Sequence, residues 1–158
     1  MSAARGVPRR CGGWRVGYLW GPSQLIQASA RVHNTFNGSV NTVVQDAALV
    51  AVESCDEDVA RMRAAYEQRR EIMRAELAAI PGLTLSAPEG AFYQFPRYDL
   101  DLPSVEVVAG LRAHGVVVRP GSEFGACGEK HLRLSYAAGP QSIVEGVRRL
   151  ADGLAALR

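Results

Sequence analysis

Two arginines stand where the residues around them would aim a cation. Arg15 lies in Gly13-Trp14-Arg15-Val16-Gly17-Tyr18-Leu19-Trp20-Gly21-Pro22, at the mouth of an apolar stretch that ends on a Gly-Pro turn. Arg133 lies in His131-Leu132-Arg133-Leu134-Ser135-Tyr136, where apolar and polar residues alternate as in a strand with one buried face. A guanidinium is planar and permanently charged, and it can place two parallel N–H bonds on one carboxylate or phosphate, which a lysine cannot copy. Spacing alone leaves each arginine a second reading. Arg15 could be a rim residue before a strand, and Arg133 an edge-strand arginine in a surface ion pair that contributes little.

Other chemistry-bearing residues are less well placed. Phe92, Tyr93 and Phe124 sit on or beside glycine-rich turns and suit either a site wall or a core. Glu89 and Glu123 share those turns, but nothing pairs them as acid and base. His33, His114 and His131 are spread over loops and helix ends with no matching carboxylate or cysteine. Cys11, Cys55 and Cys127 are odd in number and lack metal-ligand spacing, so neither a disulfide framework nor a zinc site is indicated, and a reducing cytosol fits.

The elements that must position these residues follow from periodicity. Val16 to Trp20 reads as a mostly buried strand, and Pro22 to Val32 as a helix with proline in its first turn, broken near Asn37-Gly38. Ser39 is placed to cap a second helix, in which Val40, Val43, Val44, Ala47, Ala48 and Ala51 recur at helical spacing. A long amphipathic helix runs from Asp56 to Ile80, its apolar side carrying Val59, Met62, Tyr66, Ile72, Met73 and Leu77. Strands are expected at 83–86, 88–95, 116–118 and 131–136. Helices are expected from Pro103-Ser104 to Gly115 and from Gly139-Pro140 onward, with Ile143, Val147, Leu150 and Leu154 at core spacing. Residues 1–12 show no periodicity and read as an irregular N-terminal segment.

The chain has 158 residues, 47% hydrophobic and 22% charged, enough for a sizeable core in an ordinary globular balance. A net charge of +2 is too small to point to nucleic acid or an anionic membrane. The arginines between Arg61 and Arg74 read as one solvated helix face. The basic N-terminus is followed by no apolar run, so a secretory signal is not expected, and no run approaches the roughly 20 residues of a membrane span.

Gly13-Trp14-Arg15-Val16-Gly17-Tyr18, Pro88-Glu89-Gly90-Ala91-Phe92-Tyr93, Pro120-Gly121-Ser122-Glu123-Phe124-Gly125 and Arg133-Leu134-Ser135-Tyr136 resemble, in order, motifs of the class I/II aminotransferases, the fold type I pyridoxal-phosphate-dependent family. The resemblance covers about residues 11 to 157. It implies an α/β fold: the C-terminal small domain of a fold type I transferase at 55–158, with the last strand and interface helices of the large domain at 13–54. It implies that Arg15 binds the phosphate of pyridoxal 5'-phosphate and that Arg133 pairs with the substrate α-carboxylate. The expected activity is amino-group transfer between an amino acid and a 2-oxo acid in a cytoplasmic homo-oligomer. The family's cofactor-bearing lysine should precede Arg15, but counting back lands on Val7, and the chain's single lysine is Lys130. The resemblance is therefore to a C-terminal portion, expected to be inactive alone, with no catalytic residue assigned. The alternative is a non-catalytic module that docks on a full-length aminotransferase through residues 22–54. A third, the effector half of an aminotransferase-like regulator, finds no DNA-binding segment in the sequence.

Overall fold

A computed structural model describes residues 13–158; Val7, Cys11 and the 1–12 segment lie outside the described residues. The chain forms two compact units that divide between Met62 and Arg63.

The first unit is helical. Helix α1 spans Ser23–Phe36 and α2 spans Thr42–Ser54. Pro22 is the residue that precedes α1, where a missing N–H costs nothing. The cap of α2 is Asn41, not Ser39: its Oδ1 accepts the Val43 N–H at 2.9 Å, satisfying one of the helix's unpaired donors. Neither helix has a buried residue. The expected strand at Val16–Trp20 is absent. These residues carry no strand pairing, Tyr18 is 54% and Trp20 72% exposed, and none of the strands among the described residues adds to them. Apolar alternation equips a segment to be a strand, but the ladder has to come from a neighbour.

Helix α3, Asp56–Ala78, crosses the division. Three acidic residues, Asp56, Glu57 and Asp58, stand in its first turn, where the helix dipole favours negative charge. Beyond it lie strands β1 (Leu83–Thr84), β2 (Tyr93–Gln94) and β3 (Arg97–Tyr98), helix α4 (Ser104–Ala113), strands β4 (Arg119–Pro120) and β5 (Leu132–Ser135), and helix α5 (Pro140–Ala156). Two 3-10 turns, Gly121–Phe124 and Ala126–Gly128, join β4 to β5. β5 is the middle strand of an antiparallel three-stranded sheet, in the order β2-β5-β4. β1 and β3 form a separate antiparallel pair.

The expected strand at 116–118 is shifted. Val116 is buried but Val117 is 82% exposed, and pairing begins only at Arg119 opposite Arg133. The expected 88–95 strand is also shorter, because Pro88 to Phe92 form the turn that leads into β2.

Leu132 and Leu134 of β5 point into a core with Met73 and Leu77 of α3, Val107 and Leu111 of α4, and Ile143, Val147 and Leu150 of α5. The chain's last residue is drawn into this unit. The Arg158 guanidinium donates to the Pro81 carbonyl at 2.8 Å and to Asp99 at 3.1 Å. Gly82, at φ +78°, lies directly beneath, where a β-carbon would strike both side chains.

Candidate functional site

Alternation along β5 sends Leu132 and Leu134 inward and leaves Arg133 half-buried on the opposite face. Its guanidinium carbon lies 4.4 Å from the ring centre of Tyr93 and 4.4 Å from that of Phe124. Among the described residues no carboxylate pairs with it and no hydrogen bond occupies its N–H groups. The cation is thus held by aromatic faces.

The two rings arrive from different turns. Ala91 adopts a left-handed backbone at φ +62°, which a β-carbon disfavours, and this bend brings the chain through Phe92 to Tyr93 at the start of β2. The Phe92 and Tyr93 rings touch at 4.4 Å, and Tyr66 of α3 lies 6.0 Å from Phe92. Phe124 ends the first 3-10 turn. That turn is fixed where Gly121 and Gly128 meet backbone to backbone; a β-carbon on either would collide with the other's carbonyl oxygen. Gly121 also donates its N–H to the His131 carbonyl at 2.8 Å. Phe124 meets Phe95 edge-on at 6.0 Å, and Phe95 stacks on His131 at 5.0 Å.

Charge is arranged around this pair of turns. Arg119 stands directly opposite Arg133 in register, and like charges so placed repel. Glu123 relieves this by bonding the Arg119 Nε at 2.6 Å, so the carboxylate nearest in sequence is engaged elsewhere than on Arg133. Glu129 accepts the backbone N–H groups of Lys130 and Ser104, which together with the Ser104 hydroxyl and the Lys130 charge hold its carboxyl below the usual range. It thereby caps α4 from the far end of the same loop. His131 hydrogen-bonds the Glu129 carbonyl through Nδ1 at 2.9 Å; a carbonyl only accepts, so Nδ1 carries the proton. Lys130 donates its ammonium to the Leu100 carbonyl at 2.9 Å and to Asp101 at 3.2 Å.

In the other unit Arg15 adopts φ +55° and lines a cavity of about 550 Å³ with Trp14, His33, Ser39 and Asn41. Asn41 begins α2, so the helix's positive end opens on the same space. The surroundings described for Arg15 and for Arg133 each lie within that residue's own unit. Glu89 is exposed, and the described residues hold no cluster of His, Cys, Asp and Glu able to bind a metal ion.

The family model for aminotransferase class I and II matches residues 10–150. This chain belongs to that family. An aspartate aminotransferase of Pyrococcus horikoshii is 35% identical over 146 residues, covering 90% of this chain and 37% of the relative. A probable aspartate/prephenate aminotransferase of Aquifex aeolicus is 38% identical over 151 residues, with the same coverage. The crystal structure of an aromatic aminotransferase from Pyrococcus horikoshii superposes with a TM-score of 0.82 at 32% identity, over 91% of this chain and 39% of that one. The α/β fold of the fold type I aminotransferases is thereby established for this chain, and with it the resemblance read from the four motifs. The chain spans about 37% of the length of the curated aminotransferases it matches.

Sequence reasoning left Phe92, Tyr93 and Phe124 undecided between wall and core. Phe92 and Phe124 are 40% and 47% exposed and Tyr93 is half-buried, so none of them belongs to the core. The Arg119–Glu123 pair and the cap by Glu129 were not anticipated. The first has a visible signal in its four-residue spacing, whereas the second joins residues far apart in sequence.

Proposed function

We propose that this chain supplies the C-terminal portion of a pyridoxal-phosphate-dependent aminotransferase acting between an amino acid and a 2-oxo acid, with Arg133 receiving the substrate carboxylate and Arg15 the cofactor phosphate. The observation that carries the reading is the state of Arg133 in a class I and II aminotransferase chain: a half-buried cation over the faces of two aromatic rings, with no carboxylate or hydrogen-bond partner on its N–H groups among the described residues.

The residues around Arg15 fit the phosphate. The arginine supplies charge, Ser39 and Asn41 supply polar groups, and the start of α2 favours an anion. When bound, such a cofactor supplies the electron sink for amino-group transfer. Arg133 orients the substrate by its carboxylate, and Tyr93 and Phe124 exclude water from the faces of its guanidinium. Lys130, tied to Leu100 and Asp101, is not assigned the cofactor, and no catalytic residue is assigned.

The domain reading pairs a large-domain piece at 13–54 with a small domain at 55–158. Trp20, Phe36, Val43 and Leu49 expose apolar surface in the first piece, which suits a homo-oligomer or docking on a full-length aminotransferase. The free thiols of Cys55 and Cys127 suit the cytoplasm, and no helix among the described residues is long and apolar enough to cross a membrane.

Calorimetric titration of the chain with pyruvate and, separately, with pyridoxal phosphate tests the assignment. Arg133→Ala should weaken pyruvate about 10- to 100-fold, the worth of charge-assisted bonds, and leave the cofactor unchanged. Arg15→Ala should do the reverse, and Arg133→Lys should recover only part of the loss. Equal pyruvate binding by Arg133→Ala and the parent would sink the substrate role.

A further inference from the structure

We infer that Tyr93 and Phe124 are positioning residues for carboxylate recognition: together they hold the Arg133 guanidinium in place while its N–H groups stay open to a carboxylate. The inference rests on the carboxylate reading of Arg133 and adds the device that makes it selective.

An arginine side chain is long and loses much rotamer freedom when fixed. Proteins commonly fix it by hydrogen bonds from its N–H groups to a carboxylate, but that arrangement consumes the donors a ligand would need. Here the fixing groups are ring faces, each 4.4 Å from the guanidinium carbon, and a ring face attracts the cation without using an N–H. The rings are themselves held. Tyr93 packs on Phe92, Phe124 meets Phe95 edge-on, and the turn carrying Phe124 is locked by the contact of Gly121 with Gly128. Glu123, one residue before Phe124, is turned onto Arg119 and so does not close on Arg133. A guanidinium presents its N–H groups in its own plane as a fork, which suits a two-oxygen carboxylate better than a single-atom anion.

The test is nitrogen-15 NMR of the full chain, with the Arg133 Nε–Hε signal assigned by its loss in Arg133→Ala. Two quantities are read: the rate of rotation about the Arg133 Nε–Cζ bond, and the shift of the Nε–Hε signal on titration with pyruvate and with chloride. The expected result is slow rotation in the parent, faster rotation in Phe124→Leu and Tyr93→Leu, and recovery in Phe124→Tyr. Pyruvate affinity should fall about fivefold in each leucine variant, and chloride should produce no saturating shift. Phe124 is nearly half exposed on a turn, so its replacement leaves the core intact, and an unchanged unfolding midpoint would separate positioning from stability. If pyruvate binds the parent but rotation and affinity are the same in Phe124→Leu and Tyr93→Leu, the positioning role is overturned and the carboxylate reading survives. If pyruvate shifts nothing in the parent, the carboxylate reading falls and takes this inference with it.

Discussion

From Arg63 to Arg158, Leu77, Val107, Leu111, Leu132 and Leu150 are each fully enclosed at 0% exposure, whereas α1 and α2 bury no residue and Phe36 stands 80% exposed. Both regions have helices with apolar residues at helical spacing. In the first, sheet and helices from the same stretch of chain close around those residues, so burial is complete. In the second, α1 and α2 leave apolar side chains such as Phe36 and Leu49 exposed. Amphipathic spacing alone therefore does not tell whether a face is closed over by the same stretch of chain.

The largest expected effect separates the regions directly. Leu111→Ala opens a cavity in a packed core and should cost about 2 to 5 kcal/mol in denaturant unfolding of the chain. Leu49→Ala, at a site 56% exposed in α2, should change it by less than about 0.5 kcal/mol. Comparable losses would mean that α2 is packed in solution, and the contrast would collapse.

Glycines give a second, smaller contrast. Gly121→Ala forces a β-carbon onto the Gly128 carbonyl, where only backbone can yield, and should cost about 1 to 3 kcal/mol. It should also displace Phe124 from Arg133, seen as faster guanidinium rotation. Gly17 has nothing within 4 Å of an added β-carbon, so Gly17→Ala should be near neutral. A neutral Gly121→Ala would show that the turn is looser than its packing indicates.

Titration sharpens the picture of the packed unit. Burial, reinforced by the nearby charge of Glu129, pushes the Tyr98 hydroxyl up to about 12. A raised folded value means that the stability it confers is whole below the unfolded value near 10 and is lost as pH climbs from 10 through 12. Alkaline unfolding should show this limb, and Tyr98→Phe, which removes the hydroxyl that donates to the Leu102 carbonyl, should flatten it.

The smallest effect lies at acid pH. Hydrogen bonds from Arg148, then Arg149, draw Glu145 down to about 2. A lowered folded value means that stability is present above the ordinary 4.5 and fades as pH falls from there toward 2. Glu145→Gln should remove that slope from the helicity of α5, and salt should weaken it, since the cluster is exposed. An unchanged acid slope in Glu145→Gln would show that the cluster is open in solution.

Much of the packed unit was legible in the sequence because its elements are local. Ile143, Val147, Leu150 and Leu154 announce α5 by spacing alone, and Leu132 and Leu134 announce the inward face of β5, which also places Arg133 on the other face. What could not be read depends on segments meeting. The Val16–Trp20 stretch has strand composition, but no partner pairs with it among the described residues. Ser39 and Asn41 are both sound caps, and the choice between them turns on backbone geometry two residues apart. Whether Tyr93 and Phe124 were wall or core depended on two turns, far apart in sequence, coming to one guanidinium.

The tie at Arg158 bears on how the molecule can be handled. It is made by the Arg158 guanidinium, which grips the Pro81 carbonyl and Asp99. Ending the chain one residue early, at Leu157, cuts it, and leaves Asp99 without its cation and the turn at Gly82 without its cover.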